Sequence, residues 1–380
     1  MADSFNKVNK GVTYVPQASA PSNPTNGDIY YNTTLGWQLR QAGAWVSLGT
    51  MSNPMTTTGD IIYSSSNSGT PQRLGIGYEG ATLNVSAGGI PVWIGGTPPT
   101  SSHGIFAGGA SLLSSIDYIT ITTTGNAANF GSLITGRSYT AGAGGNTLGF
   151  ISGGTNGGNL TSIEYITTAT TGSGTAFGNL VVARSEHAGL STTTRSVFAG
   201  SDGTLEYITV ATSGSGTNFG NLTATQIDFS GMASTTRGVF SGGYGGSTNM
   251  DYITIATTGN AANFGTMNTI KYGSGAFSNA TRGVIGGGAS DWGGTNTDDM
   301  EYIEIATTSN TSNFGVLTAA RIYVNGCCTS TRGVFSGGVS SNIIEYVTIA
   351  TLGNATSFGV LTTNRWSVGC FSDAHGGLTW

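Results

Sequence analysis

The chain has 380 residues, 63 of them glycine, with only 8% charged side chains and a net charge of −5. Such a composition favours many short strands joined by tight turns over long helices, and without a basic cluster it lacks the electrostatic footprint of a nucleic-acid binder. Three cysteines, Cys327, Cys328 and Cys370, are too few for a disulfide framework; Cys327 and Cys370 fall at nearly the same place in neighbouring repeats, as small buried side chains would.

In chain order, residues 1–20 are polar and unpatterned, a segment that a partner would have to order. No stretch of the chain approaches 18 apolar residues, so neither a secretory signal nor a membrane span is expected. Residues 21–50 read as a small β module: Gly27-Asp28-Ile29-Tyr30-Tyr31 is a strand, and Ala42-Gly43 is a hairpin turn before Trp45-Val46. Residues 51–96 read as a second, with strands at Gly59-Asp60-Ile61-Ile62-Tyr63 and Pro91-Val92-Trp93. Units this short bury too little apolar surface alone, so association of chains is the economical way to complete their cores. Residues 97–102, stiffened by Pro98-Pro99, are a linker.

From residue 103 to 380 one pattern recurs: an apolar strand closed by two glycines, a loop, an acid followed by Tyr, a second strand, a turn, then Phe-Gly and a basic residue. Six copies carry their acids at Asp117, Glu164, Glu206, Asp251, Glu301 and Glu345. Tyr to Phe is 12 residues in every copy, and seven residues further stand Arg137, Arg184, Gln226, Lys271, Arg321 and Arg365. Only the segment after the diglycine changes length, so that counts from the apolar position to the next Tyr run 12, 14, 9, 12, 17 and 11. A fixed frame around one free loop is the mark of a stacked repeat with a variable face. Four antiparallel strands per repeat predict one propeller blade each, and six blades close without sheet edges. Two segments, residues 103–109 and the C-terminal end of the last repeat, compete for one slot in the closing blade; residues 103–109 are expected to fill it, with Trp366–Phe371 as the innermost strand beside them.

All nine basic residues of this region occupy template positions, which points to structure rather than catalysis. The series Arg137, Arg184, Lys271, Arg321 and Arg365 is expected to pair with the acids, and Gln226 breaks it, so that its blade should hold Glu206 differently. His103, His187 and His375 form no metal-ligand spacing and sit beside no paired carboxylates, and no cofactor, metal or catalytic residue is assigned. The loops after the diglycines share one face with the crossings between blades, where recognition usually sits. The longest, residues 288–300, sets Trp292 among Asp291, Asn296, Asp298 and Asp299, a combination suited to a sugar's apolar face and hydroxyls. Against this stands a Trp folded onto its neighbour, with acids that are simply solvated. Tyr244 lies on the same face in another blade.

The segments P-S-N-P-T-N-G-D-I-Y-Y-N-T and N-P-M-T-T-T-G-D-I-I-Y, the latter followed by R-L-G-I-G and V-W, resemble modules near the N-termini of bacteriophage tail fibres, over roughly residues 15–96. The resemblance implies homotrimer-forming β segments and docking of residues 1–20 on other virion proteins. The diglycine, the acid-Tyr pair and the closing aromatic resemble Kelch-type propellers over residues 103–380, with Phe where that family has Trp. Together these imply a non-enzymatic fibre or spike on the virion exterior, whose all-β, six-bladed Kelch-like propeller binds a host cell-surface glycan or protein. A capsid-attached decoration fibre and a polysaccharide depolymerase are the alternatives.

Overall fold

β-Branched and aromatic residues alternate between glycine-rich turns along most of the chain, and every regular element among the described residues is a strand. The computed structural model describes residues 23, 25, 27–34, 36–47, 61–64, 71–74, 82–85, 91–94, 102–245, 247–290 and 293–378. The chain divides into two compact units, Met1–Thr97 and Pro98–Trp380. The expected docking segment, residues 1–20, lies outside the described residues.

In the first unit β1 (Ile29–Asn32), β2 (Gly36–Gln41) and β3 (Ala44–Ser47) form an antiparallel sheet in that order. The β2–β3 turn has positive φ at both central residues, Ala42 (50°) and Gly43 (80°), the mirror-image turn whose twist matches two paired strands. Tyr30 meets Trp45 edge-on at 4.6 Å, and Arg40 lies over the same indole. β4 (Ile61–Ser64) pairs with β5 (Pro71–Leu74), and β6 (Thr82–Val85) with β7 (Pro91–Ile94).

The second unit begins with β8 (His103–Ala107), β9 (Ser115–Thr120) and β10 (Ala128–Ser132). Five four-stranded antiparallel sheets follow: β11 (Ala141–Gly144), β12 (Leu148–Ser152), β13 (Leu160–Thr167) and β14 (Thr175–Arg184); β15 (Ala188–Ser191), β16 (Arg195–Ala199), β17 (Thr204–Thr209) and β18 (Thr217–Asn221); β19 (Ser230–Ala233), β20 (Arg237–Ser241), β21 (Asn249–Thr254) and β22 (Ala262–Thr266); β23 (Gly275–Ser278), β24 (Arg282–Gly286), β25 (Asp299–Glu304) and β26 (Ser312–Val316); β27 (Asn325–Cys328), β28 (Arg332–Ser336), β29 (Ile343–Thr348) and β30 (Thr356–Val360). The last strand, β31 (Gly369–Ser372), pairs with β8 and completes the first sheet, so both ends of the unit share one sheet. His103–Ala107 thus fills the contested slot. The first strands touch in the order β31, β11, β15, β19, β23, β27 and back to β31.

Apolar side chains fill the spaces between neighbouring sheets. The seam between sixth and first is typical: Phe106, Ile119 and Ile121 pack with Val334, Phe358 and Leu361. Phe106 is fully buried, which contributes roughly 2–3 kcal/mol. The invariant Phe-Gly has a steric cause: a Cβ on Gly131, Gly220 or Gly359 would lie about 2.1–2.2 Å from the carbonyl oxygen of Gly172, Gly259 or Gly125 in the next sheet's outer turn. Phe130, Phe219 and Phe358 C=O accept those same turns' N–H groups at 2.8–3.0 Å. Diglycines such as Gly108-Gly109 and Gly337-Gly338 take positive φ, which a side chain would strain.

The basic series pairs with acids, but across sheets. Arg137 meets Glu164, Arg184 meets Glu206, Arg321 meets Glu345, Lys271 reaches Glu301 at 3.6 Å, and Arg365 returns to Asp117 at 3.0 Å. Each cation therefore serves the acid of the following sheet. This corrects the expectation for Glu206, which Arg184 holds like the others; the acid that follows Gln226 in the repeat is Asp251, which accepts bonds from the Thr223 N–H and Oγ1 at 2.7 and 2.6 Å. A second series, Arg195, Arg237, Arg282 and Arg332, lies over Tyr207, Tyr252, Tyr302 and Tyr346 at 4.1–4.5 Å. These guanidinium groups also donate to carbonyls of the next sheet, Arg332 bonding Ile121 C=O at 3.1 Å across the seam. His103 fills the same slot in the first sheet, edge-on to Tyr118, with Nδ1 2.7 Å from Thr168 C=O.

All three cysteines are free. Cys327 and Cys328 are buried and Cys370 half-buried. In the paired strands Cys370 stands opposite Phe106 as Gly326 stands opposite Phe335, so it falls one place before Cys327; the Cys328 Sγ bonds Ser278 C=O at 3.0 Å.

Candidate functional site

Two residues after each basic position the chain turns into the first strand of the next sheet. The residues there are Tyr139, Glu186, Asp228, Gly273, Tyr323 and Ser367. All six are left-handed, with φ between 52° and 63°. They are linked head to tail by five backbone hydrogen bonds of 2.7–3.1 Å, from Tyr139 N–H to Ser367 C=O, Glu186 to Tyr139, Asp228 to Glu186, Gly273 to Asp228 and Tyr323 to Gly273. Left-handed backbone costs a non-glycine residue about 1 kcal/mol or more. Glycine would relieve it, and glycine is used only at 273.

These residues line the mouth of a cavity of about 120 Å³ between the first strands. Glycines at 142, 189, 231 and 326 line it further in, where a second cavity of about 50 Å³ continues. The far end is plugged. After β31 the chain crosses to other sheets: His375 Nε2 lies 2.7 Å from Gly144 C=O and 3.1 Å from Ser191 Oγ, and Gly376 N–H donates to Ser278 C=O at 2.7 Å. The chain also enters the unit at this plugged end, where His103 N–H donates to Asp373 Oδ1 at 2.9 Å.

The mouth is asymmetric in chemistry. Tyr139, Tyr323 and Trp366 are mutual neighbours at 5.1–6.0 Å between ring centres, and Tyr272 joins them 5.5 Å from Tyr323, the two hydroxyls hydrogen-bonded. Opposite this aromatic wall are Glu186 and Asp228. Burial, then the Glu186 charge, pushes the Asp228 carboxyl up to about 7, and burial raises Glu186. The Tyr323 hydroxyl turns to Asp228 at 3.5 Å, and neither carboxylate forms an ion pair with a described residue. Burial and Arg184 lower His187 to about 3, so this cavity-lining imidazole is neutral; its Nε2 meets Ser152 Oγ at 2.9 Å.

Comparison with known families finds no family model that matches the chain, and comparison with curated proteins finds no match.

Of the residues singled out from the sequence, Tyr244 is exposed and lies 5.6 Å from Tyr272, at the rim of the mouth. Asn296 is exposed, while Asp298 and Asp299 are half-buried. The Asp298 carbonyl accepts Leu317 N–H at 2.7 Å within its own sheet, and the Asp299 carbonyl accepts Lys271 Nζ at 3.0 Å from the preceding one. Trp292 and Asp291 lie outside the described residues. Among the described residues no group of three His, Cys, Asp or Glu could hold a metal ion, and no helix is long and apolar enough to cross a membrane. The mouth residues Tyr139, Glu186, Asp228, Tyr323 and Trp366 were not reached from the sequence. Their signal was variation in identity at one template position, two after the basic residue.

Proposed function

We propose that residues 103–380 form a six-bladed, Kelch-like propeller and that the protein is a bacteriophage fibre or spike, on the virion exterior, whose propeller binds a host-surface receptor at the axial mouth. The observation that carries the recognition reading is the ring of left-handed residues: a turn that glycine would satisfy is built instead from Tyr, Glu, Asp, Tyr and Ser. Strain of this kind concentrates where side chains serve a ligand. The closed order of contact among the first strands and the pairing of β31 with β8 support the propeller. Fibre and virion assignments rest on the N-terminal motifs. The chain enters at the plugged end, opposite the mouth, an arrangement suited to a terminal receptor-binding module. A homotrimer would then offer three weak sites on one fibre, and avidity would raise apparent affinity by about two to four orders of magnitude.

The test is adsorption of labelled full-length protein to a panel of bacterial strains, with its mass in solution measured alongside. Strain-selective binding by a trimer, lost in Tyr139→Asn/Trp366→Ala at unchanged melting temperature, is the expected result. A monomer, or adsorption indifferent to that double substitution, would overturn the proposal. A second reading, hydrolysis of polysaccharide, draws on the Glu186 and Asp228 carboxyls, one of which holds its proton near neutral pH. Release of sugar from host envelopes, abolished in Glu186→Gln, would favour it.

A further inference from the structure

We infer that the group received at the axial mouth is a protonated amine, an alkylammonium carried on a short arm of the receptor; this rests on the mouth being the recognition site. Two independent features lead there. First, Tyr139, Tyr323 and Trp366 form a wall of π-systems, and aromatic faces attract a cation more strongly where water is excluded. Second, Glu186 and Asp228 face this wall with no cation of their own. All nine basic side chains of the unit are committed elsewhere: five stand beside the buried acids, Gln226 taking the sixth place, and four donate to neighbouring carbonyls while lying over tyrosines. The protein therefore supplies the negative half of an interaction and withholds the positive half. An ammonium brings a positive charge and three N–H donors, for which the carboxylates are acceptors.

Other ligand classes fit less well. An anion would be repelled by both carboxylates. A metal ion lacks a third acidic, histidine or cysteine ligand among the described residues. A neutral hydroxyl would leave the carboxylates without a counter-ion. The cavity of about 120 Å³ holds several water-sized groups, enough for an amine and its short arm but not a long chain.

The experiment is titration of the full-length protein at pH 8 and low salt with four probes: glucosamine, ethanolamine, Nα-acetyl-lysine amide and N-acetylglucosamine, followed by saturation-transfer NMR and calorimetry. The three free amines share the chemistry, and their ranking separates amino sugar, lipid headgroup and peptide as its source. Free amines should bind at least about tenfold more tightly than N-acetylglucosamine, and binding should weaken as salt rises. Asp228→Asn should abolish amine binding without lowering the melting temperature, and Glu186→Gln should weaken it about tenfold. Equal binding of N-acetylglucosamine and glucosamine, or amine binding retained in Asp228→Asn, overturns the inference. If no probe binds while strain-selective adsorption persists, the amine assignment falls and the receptor-binding reading stands. If adsorption is also absent, both fall.

Discussion

Replacing Asp228 by Asn removes a charge from the mouth and leaves a residue that tolerates the left-handed backbone found there. The folded protein holds the Asp228 proton up to a pH of about 7, against an ordinary 3.8, because burial and Glu186 disfavour the carboxylate. This group's contribution to stability is therefore full below pH 3.8 and is lost as pH rises through 7, since over that range the folded state binds more proton than the unfolded one. A shift of about three units corresponds to at most about 4 kcal/mol, and partial solvation of the mouth reduces it to roughly 2 kcal/mol. His187 titrates in the opposite sense: its lowered basicity means stability is lost on acidification from 6.5 towards 3. That effect is common to both proteins and cancels in the difference. Denaturant unfolding of wild type and Asp228→Asn at pH 4.5, 6 and 8, followed by tryptophan fluorescence, should give a gap in favour of the variant that grows with pH to about 2 kcal/mol. A gap that is flat with pH, or a variant less stable at pH 8, would refute the argument.

Arg365→Ala strands the fully buried Asp117 at the seam and should cost about 3–5 kcal/mol in denaturant unfolding, whereas Glu304→Ala, exposed and partnered with Arg282, should cost under about 1 kcal/mol by the same measurement. Glu345→Gln leaves Arg321 without its counter-ion and should destabilise by a similar 3–5 kcal/mol, roughly. Asp251→Asn, where the partner is Thr223 and no cation is stranded, should cost about 1 kcal/mol. His375→Ala removes the plug's bonds to Gly144 and Ser191 and should cost about 1–2 kcal/mol at pH 8. Burial lowers the basicity of His375, so wild-type stability falls on acidification below the ordinary value of 6.5, and the variant should lose part of that acid sensitivity.

The sheets were legible because their frame is rigid. The 12-residue interval from Tyr to Phe spans one strand, one turn and one strand, and any change there would move Phe-Gly off the neighbouring turn it abuts. Filling of the closing slot by His103–Ala107 was legible for the same reason. Which sheet each cation serves was not, because spacing along the chain is identical whether Arg184 turns to its own sheet or the next; only packing decides that Arg184 takes Glu206 and that Asp251 is left to Thr223. Nor was His103 recognised as a member of the arginine series, although it stands three residues before Phe106 as Arg332 stands before Phe335. The mouth was missed for a different reason. Attention to loop length finds positions where the frame is interrupted, and Tyr139, Glu186, Asp228 and Tyr323 sit inside the frame, where left-handed backbone at non-glycine residues leaves no trace in hydropathy or periodicity. Tyr244 came from the loops and does lie beside that mouth.

The pairing of β31 with β8 also sets a timetable for synthesis. His103 and Asp373 are 270 residues apart, and at about 5–20 residues per second a ribosome needs roughly 15–50 s to deliver the second after the first. Throughout that interval the inner edge of β8 is an unpaired strand, as is every surface that awaits the next sheet. Final closure thus waits until β31 has left the ribosome. In an assembly where several chains grow close together, the β31 of one could reach the β8 of another first. The short path from β31 into the plug favours the chain's own edge by tying the last strand to Gly144, Ser191 and Ser278 of the same molecule.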